Sequence, residues 1–463
     1  MGIPIACYVR HLYKRKMSPF FSILSRRRNS VATFLFVFAL SSATPWAAED
    51  GAQPLIALKA AHLFDGKSKA LVANGVVLVQ SGIIQAAGTD VPIPADAKVI
   101  ELGDATLSPG FIDAHTHLTT DYSLPYNERR LRELETEIPF AAYEAIPHAE
   151  KTLAAGFTTV RDVGSKNFMD VALRDAIAKN LVRGPRMLCA TKGIGASGGH
   201  FDYTNGFRDM LFGREPNYTD GMADGPEEIR KTIRYQIKNG ADVIKAAVSG
   251  GVLSMKDEVD VPQFTPEEIA MLVSETHRLR KKLAVHCHGD IAARDAINAG
   301  VDSIEHGSFM KKETLALMKT KGTYLVPTLL ASDYIMAKIG AYPQAVQEKA
   351  KAATAARSEM FRNAVQLGVK IAFGTDAGVF PHGENAKEFA LMTGLGMVPI
   401  DALRAATSVD AELLGISQTT GTLEKGKRAD IIAMRGDPTT DITATERVSF
   451  VMKEGTIVKS SAK

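Results

Sequence analysis

The chain has 463 residues, 45% hydrophobic and 23% charged, a balance that excludes a disordered polymer and suits a folded enzyme. That length accommodates one large domain with an accessory one, and a core able to stand without disulfide staples. The formal charge of +3 comes from the first 48 residues, which hold seven Lys/Arg and no Asp/Glu; the other 48 Lys/Arg face 52 Asp/Glu, which gives no reason to expect a nucleic-acid partner.

At the N-terminus, Arg26, Arg27 and Arg28 precede the apolar run from Val31 to Leu40, and a zone rich in small residues follows to Ala48. A basic start, a short apolar stretch and a small-residue zone read as a secretory signal, with cleavage expected between 43 and 48. The run is shorter than the roughly 20 residues of a membrane span, so no stable membrane anchor is expected. The mature protein is expected to be exported, periplasmic or secreted. Of three cysteines, Cys7 precedes the cleavage zone and Cys189 and Cys287 lie in strand-like runs, so no disulfide framework is expected.

From Leu55 to Ile100, short β-rich runs alternate with turns: Ala57–Leu63, Asp65-Gly66, Val76–Gln80, Ser81-Gly82, Ile83–Ala87. The spacing predicts hairpins. The same texture returns in Asp430–Met434, Val448–Lys453 and Thr456–Lys459. Residues 49–109 and 408–463 are therefore expected to form one small β-sandwich domain around an inserted middle, 110–407.

That middle alternates strand-like and helix-like runs. The strands are Gly110–His117, Thr158–Val163, Arg186–Thr191, Asp242–Val248, Leu283–His288, Ser303–His306, Tyr324–Thr328 and Lys370–Thr375. Between them lie helical stretches such as Pro226–Asn239, Pro266–Lys281 and Gln344–Leu367, and Ala155-Gly156 and Ala299-Gly300 read as helix ends. Eight such alternations fit a (β/α)8 TIM barrel, an α/β fold whose chemistry sits at the C-terminal ends of its strands.

Those ends carry a pattern. The first strand closes on His115-Thr-His117, two imidazoles on one face that can chelate one metal. Lys245, in the apolar fourth strand, is costly to bury as a charge; it is either an ion-paired lysine or, as a carbamate, a bridge between two cations. His286 ends the fifth strand and His306 the sixth, one strand-helix-strand step apart. His288, two residues past His286, either supports a ligand, faces the substrate or is itself a ligand. Asp376 follows the eighth strand and either caps a turn or acts as a general base beside a metal-activated water. The long loop from Ala196 to Gly225 follows the third strand and carries His200, Tyr203, Arg208, Arg214 and Tyr218. It is either a solvated surface loop or, placed over the site, a source of substrate-binding groups. His62, His148 and His277 lie off this constellation.

In this order, His-x-His, Lys, His, His and Asp resemble the binuclear subtype of the amidohydrolase superfamily, over about Leu55 to Val458. Gly198-Gly-His-Phe-Asp202, Gly225-Pro-Glu-Glu-Ile-Arg230, the run from Val243 to Leu253, and Ile304-Glu-His-Gly307 are most similar to the Xaa-Pro dipeptidase (prolidase) and aryl-amide carboxypeptidase branch. Enzymes that hydrolyse the amide bond of ochratoxin A look similar too. The resemblance implies two divalent metals, zinc above all, with His115 and His117 on the buried one and His286 and His306 on the exposed one. It also implies a carbamate on Lys245 and a hydroxide as bridges, and Asp376 as the group that moves the proton. His200, Tyr203, Arg208, Tyr218 and His288 are the expected substrate-binding residues. The substrate is expected to be a small amide or dipeptide with a free C-terminal carboxylate, and the protein a homo-oligomer. A cyclic-amide hydrolase or deaminase of the same superfamily is the competing enzymatic reading, and a non-catalytic binding protein the third.

Overall fold

A computed structural model describes residues 54–122, 124–208 and 211–461; the expected leader lies outside them. The N-terminal flank forms β1 (Ile56–Leu63), β2 (Val72–Gln80), β3 (Ile83–Gly88), β4 (Lys98–Glu101) and β5 (Ala105–Pro109). Ser81 and Gly82 turn β2 into β3 with φ of 50° and 77°, the left-handed pair that a two-residue hairpin needs.

The middle supplies β6 (Phe111–Thr116), β7 (Phe157–Asp162), β8 (Arg186–Cys189), β9 (Val243–Ala247), β10 (Lys282–Cys287), β11 (Ser303–His306) and β12 (Tyr324–Val326). The C-terminal flank supplies β13 (Ile431–Arg435), β14 (Val448–Lys453) and β15 (Thr456–Ser460). The flanks meet where β13 pairs antiparallel with β5, from Ile431 opposite Pro109 to Arg435 opposite Ala105. All eight flanking strands belong to one hydrogen-bonded sheet, because β1 offers the same edge to β4 and then to β5. The sheet wraps around one interior of Leu58, Val77, Ile84, Leu107, Ile431 and Phe450. Alternation sends Ile432 and Met434 of β13 and Val451 of β14 the other way, into the main core, and the register shift at Ala433/Met434 turns Val448 to the same side.

β6, β7 and β8 pair in parallel, as do β9, β10, β11 and β12. The two sets are linked where Asp242 N–H donates to Cys189 O at 2.8 Å and Ile194 bridges Ala246. Residues 370–376 supply the eighth member. On one side Leu325 N–H donates to Lys370 O and Leu325 O accepts from Ala372 N–H, both at 2.9 Å, and on the other Ala114 N–H donates to Phe373 O at 2.9 Å. The result is an eight-membered parallel ring in the order of a (β/α)8 barrel.

The helices are α1 (Tyr126–Glu135), α2 (Ile138–Ala154), α3 (Met169–Ala178), α4 (Pro226–Lys238), α5 (Pro266–Arg278), α6 (Asp290–Ala299), α7 (Lys312–Lys321), α8 (Leu329–Ala337), α9 (Gln344–Leu367) and α10 (Lys387–Gly394). Local chemistry fixes their ends. Thr265 and Glu268 form a reciprocal capping box on α5, and Gly300 and Gly368 end α6 and α9 in the left-handed conformation. Position 408, expected as a domain boundary, falls inside a helical run whose Ala411, Leu413 and Leu414 pack on Ile112 and Ala114 of β6. Cys189 and Cys287 are both free and buried. No helix among the described residues is long and apolar enough to cross a membrane.

Candidate active site

The strand ends converge on two triads. The ligand atoms of His115, His117 and Asp376 lie within 4.8 Å of one another, and so do those of His286, His288 and His306. His115 and His117 share a face of β6, and their Nε2 atoms stand 3.5 and 3.2 Å from Asp376 Oδ1. Their other nitrogens are spoken for: His117 Nδ1 donates to Gly164 O at 3.0 Å and His115 Nδ1 to Glu305 Oε2 at 2.7 Å. Both acceptors lack a proton to give, so each Nε2 keeps its lone pair for the site. His286 is turned the other way: Nε2 donates to Gly250 O at 3.1 Å, which leaves Nδ1 as the free donor atom. Thr328 Oγ1 at 2.7 Å orients His306, and Ser308 Oγ at 2.9 Å orients His288.

The backbone at these strand ends is strained. His306, Thr328 and Asp376 have φ of 70°, 48° and 64°, a region that non-glycine residues rarely occupy and that clusters at functional sites. Burial holds His115, His286 and His306 well below the usual imidazole range, and His288 down to about 3. They are neutral, the form that binds metal. Burial opposes ionisation of Asp376, but its contacts with His115 and His117 and the nearby Lys245 outweigh it and hold the carboxyl below its ordinary value.

Lys245 lies on β9, 1% exposed, and its Nζ has no hydrogen-bond partner. Burial pulls its pKa down to about 8, although Glu305 and Asp376 pull the other way. Its charge acts on both triads. An unpartnered amine in the core is costly, and its environment is the one expected of a group completed by something further.

Beneath the histidines lies an acidic support that the sequence reading did not single out. Glu305 Oε1 accepts from Arg161 Nη2 at 2.8 Å, with both side chains fully buried. Asp113 Oδ1 accepts from the N–H groups of His115 and Thr375 at 3.0 and 3.1 Å, and its Oδ2 from Thr375 Oγ1 at 2.6 Å. One carboxylate therefore ties the first strand to the eighth. Each acid sits in an apolar strand two residues or fewer from a histidine, and that proximity was the available signal. Glu305→Gln should leave Arg161 buried without its counter-ion, at a cost of roughly 3–5 kcal/mol. It should also weaken metal binding by about 10–100-fold through His115. Urea unfolding and metal titration check this, and an unshifted midpoint would contradict it.

A cavity of about 290 Å3 opens over both triads and Lys245. Of the expected substrate-binding residues, His200, Tyr203 and His288 line it. His200 Nδ1 donates to Ser254 Oγ at 2.9 Å, and its ring stacks on His286. The glycine at 251 allows this: a Cβ there would lie 2.1 Å from the His200 ring. Arg208 and Tyr218 are not among the lining residues. Tyr218 packs against Tyr235 under the Lys231 ammonium, and Arg214 is held by Asp220. Instead Tyr122, Tyr126, Arg129, Arg130 and Lys166 line the cavity. From the sequence these residues have no assigned role. His148 stacks on His382 and His277 pairs with Asp302, both away from the triads.

Comparison with known proteins agrees with this geometry. Residues 106–458 match the Amidohydrolase family. The chain is 31% identical to an ochratoxinase of Aspergillus niger over 410 residues, covering 83% of each chain. It is similar to the crystal structure of a Xaa-Pro dipeptidase with methionine bound in the active site, at 38% identity and a TM-score of 0.82, covering 87% of this chain and 99% of that one. It is also similar to a prolidase complexed with N-methylphosphonate-L-proline, at 29% identity and a TM-score of 0.79, covering 88% of this chain and 100% of that one. Strand-end histidines, a buried lysine and a family match that runs across barrel and sheet alike place this chain in the amidohydrolase family, as a hydrolase of amide bonds.

Proposed function

We propose that the protein is a binuclear metallohydrolase that cleaves the last amide bond of dipeptides or N-acyl amino acids bearing a free C-terminal carboxylate. The observation that carries this reading is the pair of triads facing one buried, unpartnered Lys245 Nζ in a single cavity. The residues fit two cations. His115, His117 and Asp376 would hold one, and His286 and His306 the other, with His288 beside them. Imidazole-rich donors suit zinc. Lys245 fits the carbamate role because an amine held near pKa 8 is partly neutral at physiological pH, and only the neutral amine adds to carbon dioxide. Divalent cations bound here would supply an activated water at neutral pH and polarise the scissile carbonyl.

The chain's own part is proton handling and placement. Asp376 is ionised and positioned to accept a proton at Oδ1 and pass it to the departing nitrogen, without which an amide cannot release its amine. His200 borders the same space, where its Nε2, left with a lone pair, can accept a hydrogen bond from an N–H of the substrate. The cavity volume suits a dipeptide. The names of the similar proteins, Xaa-Pro dipeptidase, prolidase and ochratoxinase, support this reading. Substrates with proline or an apolar residue last, or aryl amides of phenylalanine, are the expected class. The basic and apolar leader supports action outside the cytoplasm.

Amidating the terminal carboxylate should lower kcat/KM by about ten-fold or more, since a hydrogen bond to a charged group contributes roughly 1.5–3 kcal/mol. Paired assays of each free acid and its carboxamide measure this. Equal turnover would move the assignment to a general or cyclic amidase.

A further inference from the structure

A dipeptide's carboxylate lies one residue, about 3.5 Å of chain, beyond the scissile nitrogen. Whatever recognises it must border the same cavity as the triads. Besides Lys245, the cationic side chains on that border are Arg129, Arg130 and Lys166. Arg130 is already committed: it donates to Asn205 O at 3.1 Å and to the Tyr126 hydroxyl, and its guanidinium lies 3.7 Å over the Phe207 ring.

Arg129 and Lys166 are different. Both pair with the one carboxylate of Glu133, Arg129 Nη1 with Oε1 at 2.9 Å and Lys166 Nζ with Oε2 at 2.7 Å. Two cations on one anion leave a net charge of +1. Glu133 is firmly ionised: burial pushes its carboxyl up, but the charges of Lys166 and Arg129 outweigh that and hold it below the usual range. The Nε and Nη2 of Arg129 have no hydrogen-bond partner among the described residues. Its side chain is only 13% exposed, so solvent does little to screen it. The guanidinium is held flat by the Tyr122 ring, 4.2 Å away. Tyr122 and Arg129 border the same cavity as Asp376.

We infer that Arg129, balanced by Glu133 and supported by Lys166, is the subsite that binds the substrate's C-terminal carboxylate. This rests on the carboxylate-dependent reading above and assigns it to the helix after the first strand, not to the loop arginines. The fork of Arg129 is preorganised for a carboxylate. Glu133 uses one of its nitrogens and fixes the plane of the others. Lys166 is about half exposed, so its contribution is the smaller. The side chain of the terminal residue would rest along Tyr122 and Tyr126, which suits proline or an apolar group.

The test is the ratio of kcat/KM for a free-acid dipeptide to that for its carboxamide, measured in the wild type, Arg129→Met and Lys166→Met. The assignment expects a wild-type ratio of ten or more. It expects that ratio to fall toward one in Arg129→Met, through KM for the free acid more than through kcat, and to fall part of the way in Lys166→Met. Lys166, being exposed, guards against a variant that fails for lack of folding. A high wild-type ratio that survives both substitutions overturns the subsite and leaves the carboxylate reading standing. Equal losses on both substrates in Arg129→Met also overturn it. A wild-type ratio near one overturns the carboxylate reading itself, and this subsite with it.

Discussion

Lys245→Ala is expected to abolish most activity, with a loss exceeding the about 10–100-fold that follows when only a supporting partner of a metal ligand is removed. The lysine's charge acts on both triads, so its loss separates them. Two further results distinguish a bridging carbamate from a buried ammonium. If Lys245 is carbamylated, a short carboxylic acid such as propionate should restore part of the activity of Lys245→Ala, because its two oxygens can occupy the space a carbamate would fill. Metal-stripped wild type should regain activity more fully in bicarbonate than in buffer depleted of carbon dioxide. Stability should move in the opposite direction to activity. Lys245→Met replaces an unpartnered buried amine with an apolar chain, so the metal-free protein should be as stable as wild type or more so, by about 1–3 kcal/mol. Wild-type activity and metal content in Lys245→Ala would remove the bridge from the account.

Asp376→Asn is the second large effect. The amide keeps the size and can still accept a hydrogen bond, but it cannot take up and return a proton. Loss of a positioned general base should lower kcat by roughly 10²- to 10⁴-fold. KM should change much less, because the proposed carboxylate subsite lies at Arg129 and not at Asp376. The variant should remain folded: Asp376 is anchored by its backbone, with N–H donating to His115 O at 2.8 Å. A substrate whose leaving group needs no proton, such as an activated ester, should lose less than an amide does. Equal losses on ester and amide would confine Asp376 to the metal.

Much of this was legible in the sequence, and the reason is periodicity. A strand's two-residue repeat puts His115 and His117 on one face wherever the strand lies. The strand-helix-strand rhythm brings His286 and His306 to the same end of the ring, and Gln344–Leu367 is helical over the range read from the sequence. What the sequence hid depends on contacts between distant segments. The loop from Ala196 to Gly225 delivered His200 and Tyr203 but turned Tyr218 away, because Tyr235 and Lys231 of α4 hold it. Arg129 was not singled out in the sequence, and only the neighbouring Tyr122 ring and the Glu133 carboxylate it shares with Lys166 mark it out. The eighth barrel member was found at 370–376 although its bonds are divided between two neighbours. The two flanks were seen to belong together, but their single wrapped sheet follows from β1 sharing one edge between two strands.

The most direct measurement of the central claim is a metal titration of the stripped protein, with bound metal counted per chain and activity followed at each addition. Two triads around Lys245 predict that activity reaches its maximum at two equivalents of divalent metal. Glu305→Gln should shift the same curve to weaker binding without changing its end point. Full activity at one equivalent, with no second ion retained, would contradict the binuclear site.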